Sequence, residues 1–243
     1  MSRLFALSLA LTAAALPVLA DDQPGCPAPA APRVDPDRGW YFSGKGGPSF
    51  VALSGVKADQ GGTPSKDGSH NVVGAFGMAG GYEWAYRYRI PLRTELEFIN
   101  RTEMTYDASP LLQGGGNSGA LASTVQNVTT MAKAYWHFPV KSEAWWPFVS
   151  AGLGWSRNTA KSTYTPTGSS VGTKVTNATD DLAWSAGAGV TLKMGPQMMN
   201  DIEVRYVDLG SVDWGRSAGQ NVHASGVGHF AATEVVFSLR YMF

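Results

Sequence analysis

At residues 234–243 the side chains alternate in character. Val235, Phe237, Leu239, Tyr241 and Phe243 fall on one face of an extended strand, and Glu234, Val236, Ser238, Arg240 and Met242 on the other, because successive side chains of a strand point opposite ways. One face is apolar and the other mostly polar. The same period of two recurs along the chain and predicts eight strands, at about 40–53, 72–87, 92–106, 124–138, 148–157, 182–194, 202–214 and 230–243. Connections between them alternate in length: 55–71, 107–123, 158–181 and 215–229 are long and rich in Gly, Ser, Thr and Asn, whereas 88–91, 139–147 and 195–201 are short. An even number of strands with long loops at one end and short turns at the other predicts an all-β fold. It is an eight-stranded antiparallel transmembrane β-barrel with long extracellular loops and short periplasmic turns. The competing architecture, a soluble sandwich, would bury the apolar faces between two sheets.

Aromatic residues sort by strand end. With odd strands running upward, Trp40, Phe42, Tyr82, Trp84, Tyr86, Trp136, Phe138, Trp145, Trp146, Tyr241 and Phe243 gather at the lower rim. Phe50, Tyr106, Trp155, Trp184, Trp214 and Phe230 gather at the upper one. Two belts with a paler band between them match two membrane interfaces, with Trp40, Trp84, Trp136, Trp155, Trp184 and Trp214 as interface anchors. A sandwich core would not sort its aromatics in this way.

The opposite face carries the charges. Alternation turns Lys45, Glu83, Arg93, Glu95, Glu97, Lys133, Lys193, Glu203, Arg205, Glu234 and Arg240 inward, six cations and five anions. Leu92, Leu96, Phe98, Ala132, Ala134, Trp136, Leu182, Trp184, Val190, Leu192, Ile202, Val204 and Tyr206 point out. A barrel of about eight strands is narrow enough to be filled by side chains, so the charged set is a candidate lumen ion-pair network. Slipping the register by one residue would turn these groups toward hydrocarbon, at ~2–4 kcal/mol for a Lys or Arg at mid-depth. Ser150, Gly152, Gly154, Ser185, Gly187 and Gly189 leave room for long side chains arriving from neighbouring strands. Pro48 has no N–H to give a ladder and predicts a bulge or an early strand end.

Composition then narrows the class. Arg3 precedes an uncharged run, residues 4–20, that ends Pro17-Val-Leu-Ala20, the pattern of a cleavable secretory signal peptide at 1–20. Residues 21–38, with Pro24, Pro27, Pro29, Pro32 and Pro36, read as an extended leader, and 39–243 as the barrel. No second apolar run of helix-spanning length follows, which excludes a helical membrane protein. Cys26 is the only cysteine, so neither an intramolecular disulfide nor a Cys-rich metal site can form. Gln23-Pro-Gly ahead of it does not suit lipidation. Lys plus Arg equals Asp plus Glu at 19 each, so net charge points to no nucleic acid or acidic partner.

Trp146-Pro-Phe-Val-Ser-Ala-Gly-Leu-Gly154, Glu203-Val-Arg-Tyr-Val-Asp-Leu-Gly210 and Ser238-Leu-Arg-Tyr-Met-Phe243 resemble the eight-stranded outer-membrane barrels of the OmpA-like and opacity-protein superfamily, which includes Gram-negative surface antigens. Asn127-Val-Thr-Thr-Met-Ala-Lys-Ala-Tyr135 resembles the fourth strand of that group. The resemblance covers nearly all of the mature chain. It implies that the terminal strand, with Tyr241 and Phe243, is read by the barrel-assembly machinery. Nothing follows Phe243 that would supply the periplasmic peptidoglycan-binding domain of full-length OmpA-type proteins, so a wall-tethering role is not implied.

Candidate chemistry is sparse. His70, His223 and His229 fall on or beside the long loops and His137 at a lower strand end, without metal-ligand spacing. Glu95, Glu97 and Glu203 among Arg93 and Arg205 read as balanced charge filling a narrow barrel rather than as catalytic carboxylates. Ser43-Gly-Lys-Gly-Gly47 lacks the spacing of a phosphate loop. No catalytic residue, metal or cofactor is assigned. The expectation is an exported, non-enzymatic outer-membrane protein, seated in outer-membrane lipid, with a structural or surface-interaction role and loops that meet host or surface ligands. A small gated porin-like channel and a lipid A-modifying enzyme are the alternatives, separated by conductance and by altered lipid A.

Overall fold

A computed structural model describes residues 39–58, 68–112, 118–166, 172–213 and 226–243. Eight strands follow in order: β1 (Trp40–Ala58), β2 (Gly68–Glu83), β3 (Leu92–Leu112), β4 (Ser118–His137), β5 (Trp145–Pro166), β6 (Thr173–Lys193), β7 (Met198–Asp213) and β8 (Gly226–Met242). Each pairs antiparallel with the next, and β1 also pairs with β8, so the sheet closes on itself. Closure removes the free edge that hydrocarbon could not hydrogen-bond. At the lower rim the seam is tied by Phe243 N–H donating to Trp40 O at 3.0 Å. The expected signal peptide and leader, residues 1–38, lie outside the described residues, as do Trp214 and His223.

The strands run further than apolar alternation predicts. β3 continues to Leu112, β4 starts at Ser118, β5 reaches Pro166 and β6 starts at Thr173, so much of 107–123 and 158–181 is strand rather than loop. The extensions of β5 and β6 carry six threonines, Thr159, Thr163, Thr165, Thr173, Thr176 and Thr179, a residue that suits a pleated surface. Exposed positions on the β5 and β6 extensions include Lys161, Lys174, Thr176 and Asp180, so a criterion built on an apolar outer face loses them. In the other direction β2 stops at Glu83, and one helical turn, α1 (Ala85–Tyr88), replaces the expected end of that strand. Tyr88 N–H donates to Trp84 O at 2.9 Å and Arg89 N–H to Ala85 O at 3.1 Å. Arg89 then takes a left-handed conformation, φ 56°, which ends the turn ahead of Pro91.

Pro48 makes no bulge. It stands opposite Gly74 in unbroken register with β2. On the β8 side the ladder passes from Gly46↔Phe237 to Ser49↔Glu234 without a shift, so the missing N–H costs one gap and no change of alignment. Bulges occur instead between Ser54 and Lys57, Arg101 and Met104, Ala108 and Leu111, and Asp208 and Ser211. All lie in the upper half of the wall. Gly55 (φ 65°) and Gly210 (φ 78°) occupy two of them, where a positive φ favours glycine.

Candidate functional site: the lumen and the two outer faces

The outward row of the lower and middle wall is apolar. Leu96, Phe98, Leu153, Leu182, Val204 and Phe237 are all exposed on it. Among the expected interface anchors, Trp40, Trp136, Trp155 and Trp184 are also exposed. Trp84 is half-buried, and its Nε1–H donates to Thr94 Oγ1 at 3.0 Å. Phe230, expected in the upper belt, points into the barrel and is 2% exposed. It shares the parity of Glu234 and Arg240 on β8, at a height where the inward face has become apolar.

Inside the wall, ten of the eleven charged residues expected there are buried and paired. Lys45 pairs with Glu95, and with Glu97 at 2.7 Å. Arg205 reaches Glu97 at 2.7 Å and Glu234 at 2.8 Å, and Lys133 reaches Glu203 at 2.9 Å. A lower group joins Arg93 to Asp201 at 2.7 Å, Arg240 to Asp201 at 2.9 Å and Arg240 to Glu83 at 3.2 Å. Hydroxyls complete the carboxylate shells: Tyr41 OH donates to Glu95 Oε2 at 2.8 Å, Ser49 Oγ to Glu234 Oε1 at 2.8 Å and Thr191 Oγ1 to Asp201 Oδ1 at 2.7 Å. Such shells matter because buried ion pairs repay their desolvation only when the remaining lone pairs are also satisfied.

The eleventh residue, Lys193, is exposed at the end of β6. It keeps the inward parity, but the wall ends there and its ammonium stays in water. Two charges not foreseen belong inside: Asp201, in the lower group, and Arg101, whose Nε–H meets Glu234 at 2.7 Å and whose Nη1–H donates to Asn127 Oδ1 at 2.7 Å. With these, the buried charges among the described residues are Lys45, Arg93, Arg101, Lys133, Arg205 and Arg240 against Glu83, Glu95, Glu97, Asp201, Glu203 and Glu234, six of each sign.

Glycine sets where these long side chains fit. A Cβ at Gly187 would lie 2.7 Å from Arg205 Cβ and 2.9 Å from Glu203 Oε1; at Gly152 it would lie 2.8 Å from Lys133 Cγ. Gly81 likewise makes room for the Tyr41 hydroxyl and Gly189 for the Phe148 ring. β2, β5 and β6 are the floors onto which side chains of the neighbouring strands lie down.

Above this level the two faces exchange character. Inward positions become Val51, Leu53, Met104, Val125, Leu209 and Phe230, packed with Ala160, Val207 and Val212 in one buried apolar cluster. Outward positions become Thr102, Glu103, Arg157, Lys161, Thr176 and Asp180, all exposed. Lys161 Nζ lies 3.5 Å from Glu103 and Arg157 Nε 3.8 Å from Asp180. A water-soluble barrel has this arrangement, and here it is built on the strands that are inverted below. The parity switch, Ser49 to Val51 on β1 and Glu234 to Ala232 to Phe230 on β8, was the available signal for it.

The three histidines among the described residues do not converge. His70 lies on β2 and His229 on β8, not on loops, and His229 Nε2 is 3.3 Å from Asp208. His137 ends β4 with Nε2 at 3.3 Å from Thr191 Oγ1. Among the described residues no group of three or more His, Cys, Asp or Glu could hold a metal ion. Tyr241 and Phe243 are exposed at the lower rim, their rings 5.5 Å apart.

A model of the outer membrane protein beta-barrel domain matches residues 6–243. The outer membrane protein PagN of Salmonella typhimurium is 26% identical over 183 residues, covering 72% of this chain and 76% of PagN. Neisserial surface protein A is similar in structure, with a TM-score of 0.43 and 15% identity, over 84% of this chain and 97% of that one. Ail of Yersinia pestis, solved in complex with the heparin analogue sucrose octasulfate, has a TM-score of 0.40 and 16% identity, over 84% of this chain and 99% of that one.

Proposed function

Since this chain belongs to the outer membrane protein β-barrel domain family, we propose that it is a closed scaffold whose upper barrel is an interaction surface for molecules outside the cell. The exchange of faces carries this reading. A wall that is apolar outside and charged inside suits lipid, and one that is polar outside with an apolar interior suits water. β3 to β6 continue from the first regime into the second, so a rigid sheet with Arg157 and Lys161 on its outer side stands clear of the membrane. Rigid backbone supports recognition at lower ordering cost than a mobile loop.

The charged lumen fits the same role as a filling rather than as a conduit, the near-total burial of its side chains supporting this. In this reading residues 1–20 direct export, and the terminal strand with Tyr241 and Phe243 is the segment that the barrel-assembly machinery engages. No catalytic role enters, since the buried carboxylates each face a cation or a hydroxyl.

Adhesion tests the proposal. Bacteria displaying the chain are expected to bind epithelial monolayers better than vector controls. The double charge reversal Arg157→Glu with Lys161→Glu is expected to remove most of the gain while heat-modifiable migration of the barrel is unchanged. Undiminished adhesion by that folded variant would remove the upper face from the mechanism.

A further inference from the structure

The lower half of the outer wall is not evenly convex. Counting across the hydrogen-bonded ladder, Tyr82, Thr94, Ala134, Ala151 and Ala186 are successive partners from β2 to β6. The last four of them are small. The row above contains Leu96, Leu153 and Trp184, and the row below contains Trp136 and Val149. These small side chains, with Gly80 and Ala132 in the row above, leave a trough on the lipid-facing surface beside Leu96, Leu153 and Trp184, with a volume of about 1250 Å³. Four interstrand steps of roughly 4.8 Å make it about 19 Å long, the reach of one extended acyl chain.

One end of the trough is different in kind. There it meets α1, where Trp84, Arg87 and Tyr88 line it. The Trp40, Tyr82, Trp84 and Tyr88 rings form a continuous edge, with successive centroids 5.2, 5.2 and 5.6 Å apart. Arg87 is exposed and lies over the Tyr88 ring at 5.5 Å. No carboxylate among the described residues pairs with it or with the exposed Arg89 two residues on. An apolar trough that ends, at the short-turn rim, in an aromatic edge and one guanidinium group without a carboxylate partner among the described residues is complementary to an amphiphile with an anionic head.

We propose that this trough holds one anionic phospholipid of the periplasmic leaflet, an acyl chain along Thr94, Ala134, Ala151 and Ala186 and the phosphate on Arg87. A chain lying there gains dispersion contacts with the floor and with Leu96, Leu153 and Trp184 beside it, where a convex wall offers one side. Phosphate with guanidinium is a charge-assisted pair, and the aromatic edge suits the interface where head meets chain. The site uses only the lower outer wall and is independent of what the upper face binds.

Native mass spectrometry of the full barrel in detergent tests it, with palmitoyl-oleoyl phosphatidylglycerol and, separately, phosphatidylcholine carrying the same chains. Wild type is expected to retain one phosphatidylglycerol at roughly fivefold lower lipid concentration than phosphatidylcholine, the order of one interfacial ion pair. Arg87→Gln is expected to erase that preference, and Ala151→Trp, which fills the trough, to weaken retention of both lipids. Heat-modifiable migration identifies folded variants, and Ala186→Leu substitutes if Ala151→Trp does not fold. Equal retention of the two lipids by wild type overturns the proposal. So does undiminished retention in the filled-trough variant, or a protein dimer in place of the lipid adduct.

Discussion

Glu234 receives two guanidinium groups at once, Arg101 at 2.7 Å and Arg205 at 2.8 Å, and its side chain is inaccessible to solvent. Replacing it with alanine would leave two buried cations short of an anion. Glu234→Ala is therefore expected to destabilise the folded barrel by about 3–5 kcal/mol, read from urea unfolding in lipid vesicles. Glu103→Ala is the matched control. Glu103 and its partner Lys161, at 3.5 Å, have side chains more than half exposed, and the loss there is expected to stay below about 1 kcal/mol. Equal shifts for the two variants would mean that the lumen charges do not brace the wall. Most of the buried charges could be read from parity alone. Arg101 carried the same odd parity as Arg93, Glu95 and Glu97, but Asn100 and Thr102 beside it hid the contrast between faces. Asp201 escapes for another reason: apolar alternation starts the strand one residue later, at Ile202, whereas β7 begins at Met198.

At the scale of elements, the β6–β7 junction shows how an irregularity is held. Gly210 bulges with φ 78°, and a Cβ there would meet the Asp181 side chain at 2.6 Å. Asp181 accepts Ser211 N–H at 2.9 Å, Ser211 Oγ–H at 2.8 Å and Leu182 N–H at 2.8 Å. These hydrogen bonds, Ser211's first, hold its carboxyl below the ordinary aspartate range. It sits above the lipid-facing row, which on β6 ends at Leu182. A carboxyl depressed on folding contributes stability that is present above its unfolded pKa and is lost as pH falls through the folded one. Asp181→Asn is thus expected to flatten the acid limb of a plot of thermal midpoint against pH and to lower the midpoint slightly at neutral pH. An unchanged acid limb would detach the carboxylate from the bulge. Sequence pattern located all eight strands but not their upper ends or bulges. An apolar-out rule applies only while lipid is the solvent, and a bulge reverses parity, while only two of the four, at Gly55 and Gly210, carry a glycine.

In the proposed scaffold the barrel is closed twice along its axis, by the buried charges below and, above them, by Val51, Leu53, Met104, Leu209 and Phe230, each no more than 2% exposed. Planar bilayers containing the protein are expected to stay at background conductance. Neutralising one charge, as in Arg205→Ser, is expected to leave them there, because the apolar layer still stands in series. Conductance that opens with that single substitution would favour the small gated channel. The same apolar layer marks how far the structure stands out of the membrane. From Trp155 to Lys161 is six residues along β5. At about 3.3 Å per residue and a tilt of about 45°, that lifts Lys161 roughly 14 Å. The screening length at physiological ionic strength is only about 8 Å. A ligand meeting Lys161 therefore feels that charge largely apart from the field of the lipid headgroups, and its attachment should vary little with the surface charge of the membrane beneath.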